Sequence, residues 1–199
     1  RPIDLHIKGL AALNASIRED GGRIYCDGTA LAGASIHLDY PSVGATENIM
    51  MAATAAKGET VIRNAAREPE IVDLQNFLCA AGFHVSGAGS STIVIRDGYE
   101  PREVRYRIMP DRIAAGTMLV GAAITRGEVT VTNVVPDHME GVLSKLTECG
   151  CALKVYDTAI TLSCPNRPRA PVRIETMPHP GFPTDMQAQM FALATVADG

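Results

Sequence analysis

Tryptophan is absent from this 199-residue chain, and aromatic residues of all kinds make up only 5% of it. Single-stranded nucleic acid is gripped by successive aromatic faces, so this scarcity argues against a stacking platform for it. An excess of positive charge is missing too: 18 Lys and Arg stand against 22 Asp and Glu, a formal net charge of −4. A broad footprint on a phosphate backbone is therefore not expected, no nucleic-acid partner is predicted, and any anion site must be local. No apolar run approaches the roughly 20 residues that a membrane-spanning helix needs. No signal-peptide pattern opens the chain, so the expected compartment is the cytoplasm, with no membrane partner. The five cysteines (Cys26, Cys79, Cys149, Cys151, Cys164) show no CxxC spacing, and their odd number leaves one unpaired under any disulfide scheme. Buried free thiols are the simplest reading. The five histidines form no HExxH-like ligand pattern, so no metal site and no cofactor is predicted.

What the chain does have is enough apolar material, 46% of its residues, for one large core or two small ones. It also repeats itself. Residues 44–64 give a small-residue helix, a Gly and a β-run, and residues 112–133 give the same plan. Gly58 and Gly127 stand 69 residues apart, as do Asn64 and Asn133, and a third copy of the helix starts after Pro183 and closes at Gly199. Second helices recur over 71–82 and 138–150, and in part over 5–14. β-runs follow each of them: 15–18, 23–26 and 35–40; 84–86 and 92–96; 152–155 and 159–162. The unit is helix, strand, helix, then two or more strands. The fold class this predicts is α/β (α+β), with repeated βαβαββ-like units, helices inside and sheets outside. The helices starting near Gly44 and Asp111 are apolar nearly all round, which predicts burial on every side. Gly22 and Gly58 are expected at turn or helix-end positions. The polar stretch 97–103, with Pro110 soon after, is the best candidate for a crossing between two domains. The chain opens on the tail of one unit and ends on the first helix of another, so a fragment of a longer polypeptide is expected.

Chemistry concentrates at three helix starts. Residues 178–189 read Pro-His-Pro-Gly-Phe-Pro-Thr-Asp-Met-Gln-Ala-Gln, and three prolines within six residues hold the leader extended. Thr184 can then cap a helix from Met186 to Ala197 with Met190, Leu193, Ala194 and Val196 near one face, which delivers Asp185 to the helix mouth. By itself this also fits an ordinary capped helix start. Arg1-Pro2-Ile3-Asp4-Leu5-His6 opens the chain, and Asp4 there is most simply an N-cap. Tyr40-Pro41-Ser42-Val43-Gly44 ends a strand and leaves backbone N–H groups open at a helix start, a place that suits an anion or a diphosphate.

Together with Ala65-Ala66-Arg67-Glu68-Pro69-Glu70-Ile71-Val72-Asp73 and the Met109-Pro110-Asp111-Arg112 turn, these segments resemble the UDP-N-acetylglucosamine 1-carboxyvinyltransferase family of enolpyruvyl transferases. The resemblance runs the length of the chain. It implies an inside-out barrel fold of two similar domains, each of three βαβαββ units, with the substrates in the cleft between them. Residues 1–109 would belong to one domain and 110–199 to an incomplete second one.

The implied activity is transfer of the enolpyruvyl group from phosphoenolpyruvate to the 3′-hydroxyl of UDP-N-acetylglucosamine, the first committed step of peptidoglycan precursor synthesis. Carbon C3 of phosphoenolpyruvate takes a proton, the sugar hydroxyl attacks C2, and phosphate and a C3 proton leave. By resemblance, Arg1, Pro2, Ile3, Asp4 and Leu5 form a nucleotide-sugar binding run, with Arg1 near the phosphate of phosphoenolpyruvate and Asp4 near the uracil. Tyr40, Pro41, Ser42, Val43 and Gly44 match the diphosphate run, in which some members carry Lys where this chain has Tyr40. Asp185 matches the catalytic carboxylate beside the reacting hydroxyl, Thr184 a substrate contact, and Glu68 and His179 cleft-lining positions. The family's reactive cysteine loop, where fosfomycin attaches, would precede residue 1, and later phosphate-clamping arginines would follow residue 199. None of the five cysteines matches the reactive one, so this chain alone is expected to turn over little or nothing. Rival readings are a non-catalytic nucleotide-sugar binding module, a 3-phosphoshikimate enolpyruvyl transferase and an RNA 3′-phosphate cyclase-like protein. The sequence leaves the oligomeric state open.

Overall fold

A computed structural model describes residues 3–199, and these divide into two compact units, one ending at Ile108 and the other spanning Met109–Gly199. Each unit is built by alternation. In the first, β4 (Glu59–Arg63) buries Thr60 and Ile62, and β6 (Thr92–Arg96) buries Ile93 and Ile95, while the residues between them face outward. With β3 (Ser35–His37) and β5 (His84–Ser86) they form a sheet of order β3-β4-β6-β5, in which β3 is parallel to β4 and the other pairs are antiparallel. Helices α2 (Val43–Ala53) and α3 (Pro69–Ala80) cover its buried face through Ile49, Met50, Ile71 and Leu78. Helix α1 (Asp4–Ala12) precedes a two-stranded hairpin, β1 (Ser16–Asp20) and β2 (Arg23–Asp27), whose residues are almost all exposed.

The second unit repeats the plan. Helix α4 (Arg112–Ile124) leads to β7 (Glu128–Thr132), then a 3₁₀ turn (Pro136–Met139), α5 (Glu140–Glu148), β8 (Ala152–Tyr156) and β9 (Ala159–Ser163). The sheet is antiparallel throughout, in the order β7-β9-β8. A 3₁₀ turn (Thr184–Met186) runs into α6 (Gln187–Val196). Leu119, Leu146, Ile160, Leu162, Met186, Met190 and Leu193 form the core of this unit. Among the described residues, no sheet closes on itself within either unit.

The repeated asparagines have a physical reason. Asn64 and Asn133 follow β4 and β7 with left-handed backbones, φ +54° and +55°, a conformation that Asn tolerates better than most side chains. Gly22 and Gly58 likewise take positive φ. The helix starts repeat as well. Ser42, after Pro41, accepts the Ala45 amide, and Asp111, after Pro110, accepts those of Ile113 and Ala114.

Several expectations need correction. Helices α2 and α4 are buried along one face only, and Met51 and Met118 on their other faces are 47% and 62% exposed. Ala and Met suit a buried or an open helix face equally, so composition did not fix burial. On α6 the buried residues are Met190 and Leu193, flanked by Met186 and Ala197, whereas Ala194 is exposed. Asp4 is the first helical residue of α1 and not its cap, and it still favours the positive end of the helix dipole. Thr184 caps neither helical segment. The 3₁₀ turn that it begins closes through backbone bonds, Met186 N–H to the Pro183 carbonyl and Gln187 N–H to the Thr184 carbonyl. Among the thiols, Cys149, Cys151 and Cys164 are buried, but Cys26 is exposed on the hairpin.

Candidate substrate site

In the first unit, three helix N-termini converge. Helices α1 and α2 pack together closely enough that the ring of His6 lies against Gly44 and Nδ2 of Asn48 reaches His6 Nδ1 at 2.6 Å. A Cβ on Gly44 would sit 3.1 Å from the His6 ring, so a residue without one suits this approach. The first turn of α2 presents its amides outward. Ser42 satisfies Ala45, while among the described residues no acceptor meets the amides of Val43 and Gly44. Two open amides at the positive end of an 11-residue helix suit an anion. Thr46 stitches α2 to the loop before α3, taking the Ala66 amide on its Oγ1 while donating to the Ser42 carbonyl.

Glu68, only 8% exposed, precedes α3 and accepts the Arg67 amide. Next to it, burial pushes the Glu47 carboxyl above the ordinary range. Repulsion from Glu70 and Glu68 adds to the rise, and His6 opposes it. The rim outside is open: Ile3 is 44% exposed and Tyr40 57%, whereas Leu5 packs on the core. Asp4 is exposed, and Pro41, Ser42, Val43 and Gly44 are half-buried. Arg1 and Pro2 lie outside the described residues. Of the nucleotide-sugar residues expected from the sequence, Ile3, Asp4 and Leu5 thus begin α1, and Tyr40–Gly44 lead into α2.

In the second unit, Thr184 and Asp185 are exposed on the 3₁₀ turn, and His179 is half-buried in the leader. That turn is seated by Met186, fully buried against α4. A Cβ on Gly116 would lie 3.0 Å from its sulfur and methyl, so the glycine admits the contact. Nε2 of Gln189 donates to Thr117 Oγ1 at 2.9 Å and fastens α6 alongside. A small cavity between Arg112, Asp137, His138 and His179 lies where the proline leader passes the start of α4. Asp185 therefore stands exposed at the start of a helical segment held by two contacts to α4.

The sequence reading stops at Leu5 and at Gly44 and misses His6, Glu47 and Asn48. The spacing of Gly44 and Asn48, one helical turn apart on a single face, is the signal that could have found the contact with His6.

Comparison with known proteins places this architecture first by fold. Its fold is that of the solved enolpyruvyl transferase NikO from Streptomyces tendae, with a TM-score of 0.85 at 19% identity over 100% of this chain and 50% of that one. EPSP synthase from Acinetobacter baumannii is more distant, with a TM-score of 0.61 at 22% identity over 96% of this chain and 44% of that one. Residues 1–199 match the family model for EPSP synthase (3-phosphoshikimate 1-carboxyvinyltransferase), and the chain belongs to that family.

Among curated relatives it is similar to UDP-N-acetylglucosamine 1-carboxyvinyltransferase 2 of Caldanaerobacter subterraneus subsp. tengcongensis, 54% identical over 199 residues, which are 100% of this chain and 48% of that protein. Similarity to UDP-N-acetylglucosamine 1-carboxyvinyltransferase 1 of Symbiobacterium thermophilum is 54% over 200 residues, 100% of this chain and 45% of that protein. For UDP-N-acetylglucosamine 1-carboxyvinyltransferase 1 of Staphylococcus aureus (strain N315) it is 50%, over 100% of this chain and 47% of that protein. The chain spans about half the length of the curated relatives it matches.

Proposed function

We propose that the protein to which these residues belong transfers the enolpyruvyl group of phosphoenolpyruvate to the 3′-hydroxyl of UDP-N-acetylglucosamine, as a transferase of peptidoglycan precursor synthesis. The observation that carries this reading is the 54% identity along the whole chain to relatives bearing that name. The geometry supports it, because the open amides of Val43 and Gly44 suit a diphosphate and Asp185 offers a carboxylate at a helical start. On this reading Ile3, Asp4 and Leu5, with Arg1 and Pro2, flank the nucleotide, and Tyr40–Gly44 hold the diphosphate. Thr184 and Asp185 meet the sugar, and Glu68 and His179 line the cleft. Residues 1–109 and 110–199 are then parts of two domains, and the protein works in the cytoplasm. Among the described residues no helix is long and apolar enough to cross a membrane.

The chemistry asks little of each group but much of their placement. Protonation at C3 leaves positive character at C2, which a nearby carboxylate stabilises while the sugar hydroxyl attacks. The same carboxylate can accept the hydroxyl proton, a contribution of roughly 10²–10⁴-fold for a positioned base. Asp185→Asn in the complete polypeptide is therefore expected to lower kcat at least about 100-fold while UDP-N-acetylglucosamine binds within a few-fold of the parent. Unchanged turnover would replace this reading with a non-catalytic nucleotide-sugar binding module. The family description and the likeness to EPSP synthase favour 3-phosphoshikimate as the second reading of the acceptor. Turnover with 3-phosphoshikimate and none with UDP-N-acetylglucosamine would establish it.

A further inference from the structure

The α1–α2 contact carries a side-chain pair that the proposed chemistry leaves unused. Nδ2 of Asn48 lies 2.6 Å from His6 Nδ1, and one turn earlier on α2 a Cβ at Gly44 would lie 3.1 Å from His6 Cε1 and 3.5 Å from Nε2. The imidazole thus lies along α2, with Nδ1 toward Asn48 and its Cε1–Nε2 edge toward the first turn. An amide nitrogen only donates, so Nδ1 accepts here, and a neutral ring that accepts at Nδ1 carries its proton on Nε2. That N–H lies beside the turn whose Val43 and Gly44 amides meet no acceptor among the described residues. The charged group that His6 acts on is Glu47 on α2, with Glu68 and Glu70 at the start of α3 beyond it, while Lys8, two residues along its own helix, pairs with Asp39.

We propose that Asn48 is a positioning residue for diphosphate recognition. By donating to Nδ1 it holds His6 as the Nε2–H tautomer and makes the ring a third donor, beside the Val43 and Gly44 amides, to a diphosphate oxygen. This deepens the reading of the α2 start as the diphosphate site and rests on it. Asn48 is exposed, so substitutions there leave the core untouched.

The test titrates uridine 5′-diphosphate into the protein by calorimetry and reads the His6 tautomer from imidazole ¹⁵N shifts. The parent is expected to show the Nε2–H form. Asn48→Leu is expected to mix the tautomers, which dilutes the competent form about twofold, and to release the ring from its orientation, so that binding weakens by a few-fold and by about tenfold if the whole hydrogen bond is lost. Asn48→Asp, whose carboxylate accepts from Nδ1–H, is expected to reverse the tautomer, visible in the ¹⁵N shifts, and to weaken binding because Nε2 then no longer donates. His6→Gln keeps an amide donor near the Nε2 position, and in that background Asn48→Leu is expected to cost nothing more. Equal affinity for the parent and Asn48→Leu would overturn the assignment. So would a loss that persists in the His6→Gln background, since that marks a packing role. No binding of uridine 5′-diphosphate by the parent would sink the diphosphate reading itself, and this assignment with it, an outcome distinct from the other two.

Discussion

Single residues in this chain act mainly through the backbone groups that they satisfy. Ser42 and Asp111 cap their helices, whereas Asp4 and Thr184, equally good cap formers on paper, do not. Propensity names the candidates for an N-cap, and one residue of register or a single 3₁₀ turn decides among them. The buried thiols were legible from composition, and the structure adds their chemistry. Burial, then the neighbouring thiol of Cys164 and after it that of Cys149, push the Cys151 thiol up to about 12, so Cys151 stays protonated and unreactive. Glu47 gives the sharpest prediction at this scale. Its carboxyl is raised by burial and by Glu70 and Glu68, so the folded state holds the proton more tightly than the unfolded chain does. That costs no stability below the unfolded value, and the cost grows as pH climbs through the folded one. Glu47→Gln should therefore melt above the parent at pH 8, with the gap closing toward about pH 4. Scanning calorimetry across that range checks it, and a gap that widens on acidification would contradict it.

At the scale of elements, the sequence reads most faithfully where alternation is strict. The runs 84–86 and 92–96 are β5 and β6 residue for residue, because Val85, Ile93 and Ile95 must all point to one face. The segment after β6 was harder to read. Its polar composition suggests a loose crossing, yet Arg102 is strapped across the end of α3, donating to the Ala80 and Cys79 carbonyls and, through its amide, to Ala81. Tyr106 adds a hydroxyl bond to Asp73 at 2.8 Å. These long-range contacts involve single side chains with no periodic signature. The hairpin of β1 and β2 is the opposite case, regular in pairing but almost wholly exposed. Limited trypsin digestion should accordingly cut after Arg18 or Arg23 well before Arg102, Arg105 or Arg107, as mass spectrometry of early fragments would show. First cleavage in the 102–107 stretch would mean that the strap does not hold in solution.

At the scale of the whole molecule, two hydrophobic clusters serve two units, and no residue belongs to both. Ile49→Ala, at a fully buried position of α2, should cost roughly 2–5 kcal/mol and speed amide exchange across residues 4–96. Exchange in α4, α5 and α6 should stay as in the parent. Uniform acceleration throughout would show the two clusters unfolding as one. The repeat is legible in the sequence because its marks (Pro, Gly, Asn) are residues with unusual backbones. Which groups meet around His6 was not, since that depends on the packing of two helices.

The proline-led helix start has a consequence of its own. The residue two places after the proline is Val43 in the first copy, Arg112 in the second and Asp185 in the third: neutral, cationic and acidic at matching places in the repeat, the first two opening an α-helix and the third lying in the 3₁₀ turn that leads into one. Duplication of one scaffold thus leaves a slot whose occupant can change sign while the proline leader and the helix behind it are kept, so new reactivity can arise there with only local adjustment of the backbone.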